Sequence, residues 1–250
     1  MDTLAQVHLA SQYLATAGKS FLEAKSDDSH TNVGFFEEDR TLRTWDLDSE
    51  GTYLAFQYDT FLLKWASKDK NEVLALEGKS HAEIVEWISL IAKESKLQKP
   101  YTYDLHYDLP YTADDNFKFD LPTEVELQDL AHLRTLSQNA LESFLQKENL
   151  VSDIRIWPHH FDTGAFVVLD DGSGKSIGMG LAIPDSTINE HYFYISGYRG
   201  HDGIDTSELD GLTQGEWKND GFKGGVLRAS NISEDTVVQF FQEAFKAYTN

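Results

Sequence analysis

The sequence predicts an α+β protein built of two pseudo-repeated halves, each a helix, an antiparallel meander and a second helix, with the helices packed over one face of the sheets. Three observations carry this. Apolar residues recur at helical period in four separate segments, runs of aromatic and β-branched residues lie between them, and the ends of the two halves match position by position.

Leu4, Val7, Leu14, Phe21 and Leu22 follow helical period through residues 3–24, which predicts a first amphipathic helix. Over 32–77 the pattern changes to short runs, VGFFE, TLRTW, TYLAFQY, TFLLKWA and EVLALE, separated by turn clusters such as residues 46–51. These read as an antiparallel meander. Ser80 followed by Glu83 has the spacing of a capping box, and Ile84, Ile88 and Ile91 continue at helical period, so a second helix is expected over 80–95. Residues 101–108 alternate as a strand would. Pro110, Pro122 and the polar run TADDN mark 110–122 as a linker between a first half, 1–109, and a second, 123–250, the two sharing one core.

The second half restarts the series. Leu127, Leu130, Leu133, Ala140, Leu141 and Phe144 predict a helix over 123–148; DIRIW, GAFVVLD, SIGMGLAI, HYFYISGY and GGVLRAS read as strands; Val237, Phe240, Phe241, Ala244 and Phe245 predict a last helix over 233–248. Val73-Leu74 aligns with Val226-Leu227, Ser80 with Ser233, Trp87-Ile88 with Phe240-Phe241 and Lys93 with Lys246 without a slip, which suggests internal duplication. The second half adds a strand at IRIW and a long segment, 199–225, with seven glycines, Trp217 and six acids. Connections of that length are either functional or mobile, and the composition fits a flap over a site or a loose decoration.

With 42 Asp and Glu against 21 Lys and Arg, the net charge is -21. Phosphate backbones and anionic lipid would be repelled, so neither nucleic acid nor a membrane is expected as partner; a basic protein partner or a small ligand fits better. The absence of Cys removes thiolate chemistry and disulfides. The first residues lack the basic region of a signal peptide and no apolar window spans a bilayer, so a cytoplasmic location is expected.

The string from Trp157 to Phe166 holds His159, His160 and Asp162 within four residues, a grouping suited to a metal or an acid–base pair. In an extended strand His159 would face one side and His160 with Asp162 the other, so at most two could share a site. His30 and Asn32 have the same His-x-polar-x-Gly spacing, which makes His30/Asn32 the counterparts of His160/Asp162 and adds His30 to the metal candidates. The alternative is that these side chains bond strand-end backbone. Along 177–183 one strand face carries only Gly178, Gly180 and Ala182, smooth enough for a helix or a ligand to approach; with His159, Asn32 and Trp217 these glycines form the candidate pocket. Other matches fail on chemistry. Residues 172–176 lack the opening Gly of a phosphate loop, and 46–57 lack the closing Glu of a calcium loop. No cofactor-binding motif or nucleophile elbow is present.

The string Pro158-x-His160-Phe161-x-x-Gly164-x-Phe166, with 73–93 and 240–248, resembles a bacterial family known only as a domain of unknown function. The resemblance implies one shared fold and no activity. The leading expectation is a non-catalytic binding or scaffold protein that uses the cleft between the halves. One rival is a metal-assisted or general-base hydrolase centred on His160 and Asp162, with 199–225 as its lid; another is an acidic chaperone-like module for a basic partner.

Overall fold

The computed structural model describes residues 1–113 and 116–249. Asp114 and Asp115, within the linker expected at 110–122, and Asn250, at the end of the expected second half, lie outside the described residues. The fold is α+β. Its helices are α1 (Thr3–Phe21), α2 (His81–Glu94), α3 (Glu124–Lys147) and α4 (Glu234–Thr249). One antiparallel sheet is the meander β1 (Gly34–Phe36), β2 (Thr41–Arg43), β3 (Tyr53–Gln57), β4 (Leu62–Ala66) and β5 (Asn71–Ala75). The other contains β6 (Arg155–Trp157), β7 (Asp162–Val168), β8 (Lys175–Ala182), β9 (Tyr192–Arg199), β10 (Asp202–Gly203), β11 (Glu216–Lys218) and β12 (Gly224–Arg228), in the order β11-β12-β9-β8-β7-β6 with β10 on β9. The chain divides into two compact units, 1–132 with 156–159 and 133–155 with 160–250. The boundary at 132/133 falls inside α3.

In the first unit, α2 starts where the capping box predicts. The Ser80 amide and hydroxyl donate to Glu83 Oε2 at 3.0 and 2.9 Å and hold the Glu83 carboxyl down at about 2, while the Glu83 amide donates back to Ser80 Oγ at 3.4 Å. Ile84, Ile88, Ile91 and Ala92 are its buried stripe. The expectation of an amphipathic α1 is corrected: every residue from Gln6 to Gly18 is buried, Gln6, His8, Ser11, Gln12 and Thr16 included. Residues 3–18 carry no Asp, Glu, Lys or Arg, so the helix has no face that requires water. Gly18 is where backbone presses on it, since a Cβ there would lie 2.4 Å from the His30 carbonyl oxygen.

The strand expected at 101–108 is also corrected. Residues 101–111 run as an irregular strap along α1, antiparallel to it. Thr102 N donates to Ser20 Oγ (3.0 Å), Tyr101 OH lies 2.8 Å from Thr16 Oγ1, the Tyr103 ring meets Tyr13 (5.3 Å between centroids), Tyr107 OH donates to Gln12 Oε1 (2.6 Å), and the Tyr111 ring stands edge-on to His8 (5.6 Å). The alternating tyrosines satisfy a polar helix surface and not a sheet face. The end of the expected linker is tied down as well, with Phe119 buried and its backbone bonded to Gly78 and Lys79 (2.8 and 3.1 Å).

In the second unit, Ala140, Leu141 and Phe144 of α3 and Val237, Phe240, Phe241 and Ala244 of α4 form one cluster with Ala165, Val167, Ile177, Met179, Leu181, Phe193 and Ile195. Antiparallel register puts those strand residues on one face of the sheet. The opposite face is the smooth one, and its occupants differ from expectation. A Cβ on Gly180 would fall 2.0 Å from the Thr163 carbonyl, one on Gly164 would fall 2.9 Å from the Tyr194 hydroxyl, and Gly178 lies between the rings of Tyr198 and Phe166. The glycines make room for neighbouring strands and their aromatic rings, not for a helix. Segment 199–225 contributes β10 and β11, and Thr206 N and the Trp217 indole bond Asn219 Oδ1 (2.9 Å) and the Asp210 carbonyl (2.8 Å) within it.

Candidate functional site

The string singled out by its histidines folds as a hairpin, β6, a four-residue turn at 158–161, then β7. Pro158 has no N–H to continue the ladder, and Phe161 closes the turn in the left-handed region at φ 57. The face alternation expected for extended chain therefore does not hold here. In the second unit Arg134, buried on α3, fastens the end of the turn: its guanidinium donates to the Phe161 carbonyl (2.7 Å) and to Thr163 Oγ1 (2.6 Å) and lies 4.2 Å over the Phe161 ring.

His160 is exposed on this turn, and Asp162 is half-buried at the start of β7. Asp162 Oδ2 accepts a 2.6 Å bond from Tyr194 OH. Burial, then the Asp162 charge, raises the Tyr194 pKa well above its ordinary value, so the phenol stays protonated and donates. One carboxylate oxygen of Asp162 is thus held by a phenol. Among the described residues no group of three or more His, Cys, Asp or Glu is placed to hold a metal ion, so the metal candidates His160, Asp162 and His30 belong to no such group. His191, in the same unit as Arg134, has its pKa lowered to about 4 by burial first and by the Arg134 charge second.

In the first unit the Pro158 carbonyl is an acceptor for two α1 side chains, His8 Nε2 at 2.7 Å and Gln12 Nε2 at 2.9 Å. A carbonyl only accepts, which sets the Nε2–H form of His8. His159 is half-buried with its ring 5.6 Å from Tyr107 and 6.2 Å from Trp157. His30 sits in a 3-10 turn (Ser29–Thr31), where Nδ1 accepts from the Lys25 amide at 3.2 Å and burial lowers its pKa. It is a capping side chain in a setting unlike the hairpin turn of His160. Asn32 is buried, and among the described residues neither atom of its amide has a hydrogen-bond partner. Of the other pocket candidates, Gly178 and Gly180 lie on the smooth sheet face, while Trp217 pairs with Gly225 and packs on Tyr248 of α4, on the opposite face; these three do not converge.

The first unit also has an open bowl of about 780 Å³ that no motif predicted. It is lined by residues 47–50 with Thr52, by 67–70, by 94–99 and by Phe21. Lys68 pairs with Glu50 (2.9 Å) and Lys70 with Glu94, so the turn at 67–70 is ion-paired to the segments on either side. Trp65 Nε1 donates to Ser95 Oγ at 2.9 Å, with Phe21 edge-on to the Trp65 ring. Burial raises the Asp48 pKa, but the Thr52 hydroxyl (2.7 Å) and the amides of Thr52 and Glu50 (3.0 and 2.9 Å) donate to its carboxylate and leave it lowered. Lys96, at φ 62 just beyond α2, and Lys99 have no acid partner among the described residues. No family model, curated protein or solved structure matches the chain.

Proposed function

We propose that the chain is a non-catalytic binding protein that takes a small anion-bearing ligand, a carboxylate or a phosphate, in the bowl of the first unit. The observation that carries this reading is the pair of ammonium groups, Lys96 and Lys99, left without acid partners on a bowl of about 780 Å³ whose other two lysines are ion-paired. That volume is in the range of small-molecule sites, and the hydroxyls of Ser49, Ser67 and Ser95 supply neutral polar contacts. Of the residues that suggested chemistry, Asp162 has one carboxylate oxygen engaged by the Tyr194 phenol. Calorimetric titration with succinate and with inorganic phosphate tests the reading. Saturable binding to the wild-type chain that is lost in Lys96→Met/Lys99→Met supports it; equal binding by both proteins refutes it.

One further observation bears on origin. The strand–helix pairs β5–α2 and β12–α4 start at residues 71 and 81 and at 224 and 234, a difference of 153 in each case. We infer that the two helix–meander–helix series arose by duplication, with β10 and β11 as later additions to the second.

A further inference from the structure

We propose that residues 101–111 are a releasable strap that covers the polar seam of α1 and opens from its Tyr111 end while the rest of the fold stays closed. Among the described residues, no backbone–backbone hydrogen bond involves 101–111. A strand in this position would be fixed by a ladder; this segment is held by side chains alone. The holds are uneven along its length. At the Tyr101 end there are the paired bonds of Thr102 with Ser20 (3.0 and 3.2 Å), the Thr16–Tyr101 contact at 2.8 Å, and Lys19 on the Asp104 carbonyl (2.9 Å) and carboxylate (2.7 Å). Tyr107 has one bond, to Gln12, at 2.6 Å. Tyr111 has only its ring contact with His8, and its buried hydroxyl has no partner among the described residues.

That unsatisfied hydroxyl sets the direction. A buried phenol without an acceptor is destabilised relative to one in water, so release of Tyr111 restores a hydrogen bond and breaks none. Release of Tyr107 breaks one bond and lets water satisfy both partners. The surface bared by these two steps carries His8 and Gln12, which tolerate water, whereas a lifted apolar segment would expose hydrocarbon. What opening presents is specific: the Gln12 Oε1 acceptor that Tyr107 leaves, on a side chain whose Nε2 stays fixed with His8 Nε2 on the Pro158 carbonyl. Segments fastened by few backbone bonds are the ones that open below the global unfolding free energy.

The chain has no cysteine, so single thiols report opening without background. Ser11 is fully buried beside Gln12, one turn from His8, and Ser11→Cys is nearly isosteric; Ala140→Cys, fully buried on α3, is the control for opening elsewhere. Thiol labelling of the full chain under native conditions is expected to be at least about tenfold faster at Ser11→Cys than at Ala140→Cys. Tyr107→Phe, which deletes the Gln12 bond, is expected to speed the first about fivefold, the equivalent of one net hydrogen bond, and to leave the second unchanged. Ala15→Cys, also buried on α1, serves if Ser11→Cys does not fold. Labelling at the same rate in α1 and at Ala140→Cys, or no response to Tyr107→Phe, overturns the proposal.

Discussion

Replacing Arg134 weighs the two sides of a buried cation. The residue is 5% exposed, with bonds of 2.7 Å to the Phe161 carbonyl and 2.6 Å to Thr163 Oγ1 and a ring beneath it at 4.2 Å. Hydrogen bonds from a charged donor contribute about 1.5–3 kcal/mol each, so the two together stabilise by about 3–6 kcal/mol. Against them stands the burial of a guanidinium that has no carboxylate within ion-pair distance among the described residues, a cost of several kcal/mol. Arg134→Met removes both sides, and a net loss of about 1–3 kcal/mol is expected. Arg134→Lys keeps the charge but lacks the planar fork that reaches two acceptors, so a larger loss, about 3–5 kcal/mol, is expected. The sign of the pH dependence separates them further. A buried lysine has a folded pKa below its unfolded value of about 10.4, so its stability is fully present above that value and is lost as pH falls through the folded pKa. Urea denaturation followed by circular dichroism over neutral to alkaline pH reads both effects. A lysine variant more stable than the methionine variant at neutral pH, or one without the added pH slope, would refute the reasoning.

Other consequences are equally open to measurement. Gly18→Ala is expected to lower stability by about 1–3 kcal/mol in spite of the better helix former, because the new Cβ meets the His30 carbonyl at 2.4 Å; an unchanged melting curve contradicts that packing. The His191 imidazole is expected to titrate near 4 by NMR and to move up in Arg134→Met, since the Arg134 charge is its second cause. Because that pKa lies below the unfolded value of about 6.5, the stability it contributes is present above 6.5 and is lost as pH falls toward 4. Ser80→Ala should cost about 1 kcal/mol in thermal denaturation and let the Glu83 carboxyl rise from about 2, which a carboxylate titration would detect.

The elements set by local chemistry were legible and those set by tertiary neighbours were not. Helices expected at 80–95 and 123–148 form over His81–Glu94 and Glu124–Lys147, because a capping box and an apolar period are properties of the segment itself. The ten strands expected from β-branched and aromatic runs are present, while the short β10 and β11 carry no such run and escaped notice. Alternation at 101–108 is the same pattern a strand would show, and only the polar residues of α1 make it a strap. The uncharged stretch 3–18 was the available sign that α1 is buried on every side, and the i, i+4 spacing of His8, Gln12 and Thr16 was the sign of its polar seam. For the site, the unusual string drew attention to His160 and Asp162, but Pro158 and the left-handed Phe161 bend it into a turn. The bowl is assembled from three segments distant in sequence, each ordinary alone, so no spacing could disclose it.

The amide NMR spectrum of the full chain, recorded while inorganic phosphate or succinate is added, tests the binding reading most directly. Saturable shifts concentrated at 47–52, 67–70 and 94–99 are the predicted result, with the amides of Lys96 and Lys99 among the largest. Shifts centred on the 158–162 turn, or a spectrum unmoved by either anion, would contradict it.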